Sequence, residues 1–451
     1  MIKSFRAKNF KSYESINLEL GKITILLGKN SSGKSTVMQG ILALIQSNNF
    51  PRNLTLNGKY VSLGGFADVV TNNEVDRILE LGMKIEYSNE CIEYNSRWGC
   101  IKNSDQPTLS GVSASSKYAN IDLSVIGRSI ITDGYFNIKE SKILDSNMSS
   151  ILPKIFDILN EFESSEGSKM KVDFKKELKN LLAERKIYFK EKSENMNEAY
   201  KYIKSRMSIL EGPIITKYTT LFNNIEKSMN YIGNFRDDPN RSYRLDHPSS
   251  LKVGRSGERS NYQIFDWTEA SSDKLEILSQ IGVEVGIFSS VRSVAKKSGQ
   301  YEIQVKLTED SRFVNICDVG FGVSQLLPFF VADIQLSNGS TLMVSQPEIH
   351  LHPSAQANLG DYLAANTTKR EKKYIIETHS EYLVNRIRKL IAEEKIKTND
   401  VMVYYFSDGL KSIGSGISKI ELLKDGSIKG APEEYFNTYM TDIFNIALNA
   451  E

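Results

Sequence analysis

The sequence predicts an α/β protein with a strand-rich N-terminal lobe, an inserted helical arm and a C-terminal lobe that completes the core. Three observations predict this architecture. A short apolar run at residues 22–27 is followed by a glycine-rich loop and then by apolar spacings of three and four, which indicate a helix. Further short apolar runs at residues 341–344, 374–377 and 401–406 alternate with helical patterns. Between these regions, residues 140–230 become rich in lysine and glutamate and poor in glycine and proline.

The lobe boundaries follow from these changes of pattern. Residues 1–138 form the N-terminal lobe, and residues 54–137 within it are strand-rich because β-branched and aromatic residues lie between Gly, Asn and Ser clusters. Residues 139–230 form the arm, whose 17 Lys+Arg and 14 Asp+Glu indicate solvated helices rather than a basic DNA-binding stripe. Residues 231–451 form the C-terminal lobe, in which helices are expected to begin near Gly322, Ser354 and Ser380.

Composition limits the classes of function. The 451 residues are 40% hydrophobic and carry a net charge of +2, so a sizeable core is expected. This charge argues neither for nor against nucleic-acid binding, which is possible through a local basic patch but is not indicated by composition. The three cysteines, Cys91, Cys100 and Cys317, form neither a disulfide framework nor a zinc spacing. No signal peptide and no run near the ~18 apolar residues of a membrane span is present, so a soluble cytoplasmic protein is predicted.

The loop GKNSSGKS at residues 28–35 is a complete G-x4-G-K-S pattern between a buried strand and a helix. Its glycines let the backbone wrap around a phosphate chain, and the helix N terminus adds a positive cradle. Lys34 is expected to reach the β- and γ-phosphates, and Ser35 to bind Mg²⁺. The predicted nucleotide-contacting residues are Gly28, Asn30, Ser31, Ser32, Gly33, Lys34, Ser35 and Thr36.

A second glycine-rich turn, DVGFGVSQ at residues 318–325, opens the apolar helical run LLPFFV. From its residues alone, this turn fits either a plain turn or an anion site at a helix start. Gly322 lies 23 residues before Ser345 (345 − 322), which resembles the placement of the signature loop ahead of the Walker B strand in ABC-type ATPases, and this resemblance favours the second interpretation. The predicted nucleotide-contacting residues here are Gly320, Gly322, Ser324 and Gln325.

The apolar run that ends at Val344 is followed by polar groups where metal binding and water activation are expected. Ser345 can hold the magnesium shell through its hydroxyl or a water, and Gln346 can orient water but cannot accept its proton. Pro347 is unsuited to a central strand, so Glu348 lies past the strand end as a second candidate for the metal or the water. Because no strong proton acceptor directly follows the strand, hydrolysis of the bound nucleotide is predicted to be slow or to occur only under particular conditions.

Three of the four histidines, His350, His352 and His379, lie in this region and in the next strand end, IIETHS. A histidine is often structural, but the order of the motifs indicates that His379 is a catalytic switch residue. His350 and His352 could form a metal pair, yet no further Cys or carboxylate stands at ligand spacing. We therefore expect these two histidines at a subunit face.

Several blocks of the sequence resemble a known group of ATPases. RAKNFKSYESINLELGKITILLGKNSSGKST is similar to the N-terminal half of SMC, RecF and OLD-like heads. LNGKYVSLGGFADVV, YIGNFRDDPNRSY, DVGFGVSQLLPF, SQPEIHLHPSAQANL, IIETHSEYLVNRIR and IELLKDGSIKGAPEEYF resemble stand-alone AAA-type ATPases of bacterial antiphage systems such as Septu, retron–Septu and PARIS. The resemblance implies an ABC-type P-loop ATPase head that uses ATP and Mg²⁺, with residues 320–325 as a signature loop that completes the site of an opposite subunit.

Two functions follow from this resemblance. The first is a regulatory ATPase of an antiphage defence complex, which forms an even-numbered homo-oligomer, at least a dimer, and controls an effector supplied in trans, a nuclease. The alternative is a RecF/SMC-like DNA-repair ATPase that acts directly on DNA. A transporter ATPase fits poorly, because 288 residues separate Gly33 from Gly322 and the turn departs from LSGGQ. Only 72 residues follow His379, too few for an OLD-type Toprim nuclease domain, so no intrinsic nuclease is expected.

Overall fold

The structure, a computed structural model, describes most of the two lobes and a small part of the predicted arm. The described residues are 2–47, 53–87, 90–101, 105–117, 119–126, 129–137, 186–193, 222–245, 252–297, 299–407, 416–432, 435 and 448.

The strands of these residues belong to three sheets. In chain order they are β1 (Ile2–Phe10), β2 (Tyr13–Glu19), β3 (Ile23–Gly28), β4 (Leu79–Tyr87), β5 (Glu90–Cys100), β6 (Pro107–Ser115), β7 (Ala119–Ile126), β8 (Ser129–Asn137), β9 (Lys186–Ser193), β10 (Met229–Ile232), β11 (Tyr243–Arg244), β12 (Ser290–Lys296), β13 (Gln300–Lys306), β14 (Val314–Asn315), β15 (Thr341–Ser345), β16 (Lys373–Glu377), β17 (Val401–Phe406), β18 (Ile417–Leu422) and β19 (Ile428–Lys429).

The central sheet has the order β10-β15-β16-β3-β17-β18-β19, and its first five strands are parallel. These strands are short and almost wholly buried, as expected for a parallel sheet covered on both faces. Because parallel strands end at one edge, the residues after β3, β15 and β16 come together there. The second sheet is antiparallel, with the order β2-β1-β4-β5-β6-β7-β8-β9, and β11 to β14 form a third, small sheet.

The helices cover the central sheet on both faces. They are α1 (Lys34–Ile45), α2 (Phe66–Val69), α3 (Ser260–Glu269), α4 (Asp273–Val285), α5 (Phe321–Gln335), α6 (Pro353–Arg370) and α7 (Glu381–Ala392), and residues 222–227 are also helical. On one face, α1 and the antiparallel sheet form a core with Leu26 of β3. On the other face, α3 to α7 pack around Ile23 and Ile25 of the same strand. The alternation of side chains along β3 therefore joins two hydrophobic cores.

The structure confirms the predicted α/β fold class and the predicted C-terminal elements. The three runs expected as strands form β15, β16 and β17, and helices begin at Phe321, Pro353 and Glu381, next to the predicted positions. The strand-rich character of residues 54–137 is also confirmed. Within the predicted arm, β9 is a strand that the sequence analysis did not predict, and it pairs with β8.

Other expectations fall outside the described residues. Most of the arm at 139–230 lies there, so the boundaries of the arm stay a prediction. Strands β18 and β19 pair antiparallel with each other. Among the described helices, none is both long and apolar enough to cross a bilayer.

Candidate nucleotide site

The loop between β3 and α1 has a shape that requires glycine at two positions. Gly28 and Gly33 have φ angles of +135° and +96°, which L side chains rarely adopt. A Cβ atom on Gly28 would lie 2.1 Å from the carbonyl oxygen of Phe406 in β17, and one on Gly33 would lie 2.2 Å from the hydroxyl of Tyr13. The loop therefore passes close against two strands and leads directly into the N terminus of α1, a position that suits a phosphate chain.

Lys34 is the buried cation of this loop. Its Nζ donates to the carbonyl oxygen of Gly28 at 2.8 Å and to that of Lys29. Burial lowers the pKa of Lys34, and the carboxylates of Glu377 and Glu348 oppose that shift. The ammonium group therefore lies between loop carbonyls and the field of two carboxylates, and its role towards a phosphate chain stays a prediction.

The remaining loop residues differ in exposure. Asn30 and Ser31 are exposed, Thr36 is half-buried, and the N–H group of Thr36 donates to the carbonyl of Gly33 at 3.0 Å. The hydroxyl of Ser32 is buried and has no hydrogen-bond partner among the described residues. A buried hydroxyl left without a partner in a phosphate-type loop is consistent with a ligand that supplies one.

Ser35, Ser345 and Glu377 meet beside Lys34. The hydroxyl of Ser35 donates to Oε1 and Oε2 of Glu377 at 2.7 and 2.9 Å, and that of Ser345 donates to Oε2 at 3.2 Å. Glu377 ends β16 and is 6% exposed, so its carboxylate is a buried acceptor of three hydrogen bonds. The sequence analysis predicted both serines at a metal but did not predict this glutamate.

Glu348 lies past the end of β15, as the position of Pro347 predicted. It is 8% exposed, and its Oε1 accepts a hydrogen bond of 2.7 Å from the backbone N–H of His379. Its Oε2 is buried without a partner among the described residues. Burial raises the pKa of Glu348, against the opposing effects of its hydrogen bonds and of Arg236. A buried carboxylate with one free oxygen and a raised pKa has the properties of a general base.

His379 has an exposed side chain at the start of the turn before α7. Partial shielding from water lowers its pKa, and the charge of Lys34 lowers it further. The imidazole is therefore biased towards the neutral form, in which one ring nitrogen can accept a hydrogen bond. The structure thus places the predicted switch histidine close to Lys34 and joins its backbone to Glu348.

Arg236 approaches the same strand end from the loop after β10. Its side chain is buried, and Nη2 donates to the carbonyl oxygens of Ser345 and Gln346 at 2.7 and 3.4 Å. Its Nε and Nη1 have no partner within the part of the chain that the structure describes. Burial lowers the pKa of Arg236 to about 10, and the charge of Glu348 opposes this shift. Arg236 is therefore a buried cation that faces the polar end of β15.

The other predicted residues after β15 have mainly structural contacts. Gln346 has a φ of +49°, and its backbone N–H donates to the carbonyl of Glu377 at 2.6 Å, which ties the two strand ends together. His350 contacts the ring of Phe321 edge-on at 5.2 Å. His352 caps α6, where its Nδ1 accepts a hydrogen bond from the N–H of Ser354. The two histidines therefore pack around the start of α5 and α6.

The predicted turn at residues 320–325 lies at the start of α5, and it presents only part of the predicted set to solvent. Gly320 is exposed, with no atom within 4 Å of a Cβ built on it, and Phe321 is 45% exposed. Ser324 and Gln325 are buried, and the hydroxyl of Ser324 donates back to the carbonyl of Phe321 at 2.9 Å. Gly322 lies against the loop that contains His350. A ligand or partner can therefore reach Gly320 and Phe321 directly, but not the side chains of Ser324 and Gln325 in this conformation.

Sequence reasoning missed Glu377 and Arg236. Glu377 is a carboxylate at the end of a buried strand, a signal as strong as the one that singled out Ser345. Arg236 follows the end of β10 by four residues, in the block YIGNFRDDPNRSY. Neither could be assigned without the sheet order, which makes β15 a neighbour of both β10 and β16.

A family model described as AAA ATPase domain matches residues 1–384. The chain is similar to an Smc head domain with an extended coiled coil bound to the C-terminal domain of ScpA from Pyrococcus furiosus, with 14% identity, a TM-score of 0.37 and 99% of each chain covered. It is also similar to an SmcHead bound to the C-winged helix domain of ScpA, with 13% identity, a TM-score of 0.39 and coverage of 94% of this chain and 98% of that one.

A third similar structure is the SMC head domain from Thermotoga maritima, with 10% identity, a TM-score of 0.33 and coverage of 96% of this chain and 99% of that one. The comparison with curated proteins gives no match.

Proposed function

The chain belongs to the AAA ATPase domain family, and on that premise we propose that it binds ATP with Mg²⁺ at residues 28–36 and acts as a slow, switch-like ATPase. The observation that carries this proposal is the position of Lys34. It is buried at the end of a glycine-rich loop, with its charge balanced by Glu377 and Glu348. A buried lysine with two carboxylates nearby matches a polyphosphate and a divalent cation together.

The residues present fit a nucleotide with Mg²⁺. Lys34 would contact the β- and γ-phosphates, the hydroxyl of Ser35 would hold the metal, and the unpartnered hydroxyl of Ser32 would gain an acceptor. No group of three or more His, Cys, Asp or Glu side chains in the described residues forms a metal site by itself. That finding is compatible with Mg²⁺, which usually binds through one or two protein groups together with phosphates and waters.

Slow turnover follows from the groups that surround the attacking water. Gln346 can orient water but cannot take its proton. Glu348 can accept a proton through its free oxygen, and His379 lies beside Lys34 as the switch residue. Because Glu348 is the only one of these three that carries a carboxylate, hydrolysis depends on its alignment. A long-lived ATP-bound state suits a switch better than a motor.

A two-fold dimer of heads would complete the site. Neither the loop at residues 28–36 nor the turn at 320–325 surrounds a γ-phosphate alone, and Gly320 and Phe321 are exposed for contact with a second subunit. Two heads would then enclose two nucleotides, each between one loop and the opposite turn. The unit is an even-numbered homo-oligomer, since each site needs both subunits.

The biological role that we propose is control of a separate effector, a nuclease, in an antiphage defence complex. The blocks that resemble Septu, retron–Septu and PARIS ATPases support this role. The near-neutral charge of +2 gives no support to direct action on DNA, the alternative of a RecF/SMC-like repair ATPase.

Two measurements on the tagged chain, expressed from its own genomic context, separate these roles. We expect a partner protein to be retained with ATP by the wild type and to be lost with Lys34→Ala, and we expect no ATP-dependent change in the fluorescence anisotropy of labelled DNA. ATP-dependent DNA binding without a retained partner would contradict the effector role and support the repair role.

A further inference from the structure

The end of β15 lacks the carboxylate that a magnesium site beside a phosphate-binding loop needs. The strand ends on Ser345, and Gln346 follows it. A serine hydroxyl and an amide are neutral ligands, whereas Mg²⁺ in phosphate sites is usually held by at least one carboxylate. The site therefore needs a carboxylate from another element.

The neighbouring strand supplies one at the same level of the sheet. Ser345 of β15 pairs in register with Glu377 of β16, and Glu377 pairs with Leu26 of β3 on its other side. The strand order β15-β16-β3 places Glu377 one strand closer to the phosphate-binding loop than Ser345. We propose that Glu377 is the magnesium-binding carboxylate of this ATPase and that Ser345 orients it, an inference that rests on the function proposed above.

The distances between oxygen atoms fit this assignment. Mg²⁺ binds six oxygens octahedrally at about 2.1 Å, so neighbouring ligand oxygens lie about 3 Å apart. The hydroxyl oxygen of Ser35 lies 2.7 and 2.9 Å from the two carboxylate oxygens of Glu377. The same two groups can therefore exchange their hydrogen bond for a shared cation with little movement of either side chain.

Ser345 has a supporting position rather than a ligand position. Its hydroxyl lies 3.2 Å from Oε2 of Glu377 and 3.4 Å from the hydroxyl of Tyr231. A serine that donates to Oε2 fixes the carboxylate plane and leaves Oε1 for the metal. This arrangement revises the expectation that Ser345 holds the magnesium shell itself.

The second carboxylate of the site, that of Glu348, has a different hydrogen-bond partner. Glu348 lies past the strand end, and its Oε1 accepts the N–H of His379. It has no hydrogen bond with Ser35 among those that the described residues form. Metal binding is therefore assigned to Glu377, and proton acceptance is assigned to Glu348.

The test is the effect of Mg²⁺ on ATP affinity in Glu377→Gln, with a fluorescent ATP analogue titrated in excess Mg²⁺ and in excess EDTA. Glutamine keeps the shape of the side chain and an acceptor for Ser35. In EDTA we expect the variant to bind the analogue at least as tightly as the wild type, because a carboxylate beside the polyphosphate has been removed. In Mg²⁺ we expect binding at least tenfold weaker than that of the wild type.

Two further variants serve as control and rescue. Glu394→Gln removes an exposed carboxylate after α7 and should leave both affinities unchanged. The double variant Glu377→Gln with Ser345→Asp returns a carboxylate to the same level of the sheet and should restore part of the tightening by Mg²⁺. If Glu377→Gln does not fold, Glu377→Asp takes its place and should lose part of that tightening.

The outcomes separate this inference from the proposed function. If the wild type binds the analogue in neither condition, the proposed function itself is contradicted. If the wild type binds more tightly with Mg²⁺ and Glu377→Gln shows the same gain, Glu377 is not a magnesium ligand although the ATPase assignment stands.

Discussion

Glu348 is the residue on which hydrolysis should depend most. Burial raises its pKa, and a carboxyl group must be deprotonated to accept a proton from water. The rate of phosphate release should therefore rise with pH as Glu348 loses its proton. Because its pKa is raised, the acidic limb of the pH–rate profile should lie at higher pH than an exposed glutamate would give. Glu348→Gln should remove that limb and lower the rate by about 10²–10⁴-fold. Steady-state phosphate release measured across pH checks this expectation.

Gln346→Glu provides the complementary variant. It places a second proton acceptor directly after β15, and it should raise phosphate release at neutral pH. A wild-type turnover of several per second that does not respond to Glu348→Ala would contradict the assignment of Glu348 as the base.

Arg236 should contribute to stability as well as to the site. Arg236→Ala removes the hydrogen bonds to the carbonyls of Ser345 and Gln346 and leaves Lys34 as the remaining cation whose charge acts on Glu348. Hydrogen bonds to a charged group contribute about 1.5–3 kcal/mol, so the free energy of unfolding should fall by about that amount. Urea unfolding followed by circular dichroism measures it.

The control for Arg236 is Arg241→Ala. Arg241 forms a bidentate pair with Asp318 but is largely exposed, and exposed pairs contribute little to stability. Equal losses of stability in the two variants would show that the burial of Arg236 has no special effect.

At the level of single residues, sequence reasoning identified the local motif and missed its spatial partners. Lys34 and Ser35 could be singled out because they belong to one contiguous pattern. Glu377 could not, because its contact with Ser35 joins residues 342 positions apart and depends on which strands are neighbours. The burial of Glu348 could not be predicted from the sequence either, although Pro347 correctly indicated that Glu348 lies beyond the strand.

At the level of elements, short apolar runs correctly predicted strands of the central sheet. β15, β16 and β17 are buried on both faces, so they appear in the sequence as continuous apolar runs. β9 reads as KIYFKEKS, in which lysines and glutamate dominate, and the surrounding composition favoured helix. The pairing of β9 with β8 is a long-range contact, which local composition does not predict.

The start of α5 offers a matched pair of glycines for a test. A Cβ atom on Gly322 would lie 2.6 Å from the carbonyl oxygen of His350, whereas one on Gly320 would meet no atom within 4 Å. Gly322→Ala should lower the free energy of unfolding, because overpacking costs about 1–3 kcal/mol and exceeds the helical gain of about 0.5–1 kcal/mol. Gly320→Ala should leave stability unchanged. Denaturant unfolding of both variants would contradict this packing if their stabilities were equal.

At the scale of the whole molecule, the site is expected to need two subunits. Gly320, which precedes α5, and Phe321, its first residue, are exposed where an opposite nucleotide would be contacted. Light scattering should therefore show an even-numbered oligomer with ATP and Mg²⁺, and a smaller species with Lys34→Ala. A wild-type protein that stays a strict monomer at micromolar concentration with ATP would contradict the proposed dimer.

Isothermal titration of ATP with Mg²⁺ into the wild type and Lys34→Ala tests the central claim most directly. Lys34 is the buried cation of the loop, so its loss should weaken ATP binding by at least tenfold, while Lys8→Ala, which removes an exposed lysine of the same lobe, should bind as the wild type does. Equal affinities of the wild type and Lys34→Ala would contradict the assignment of residues 28–36 as the ATP site.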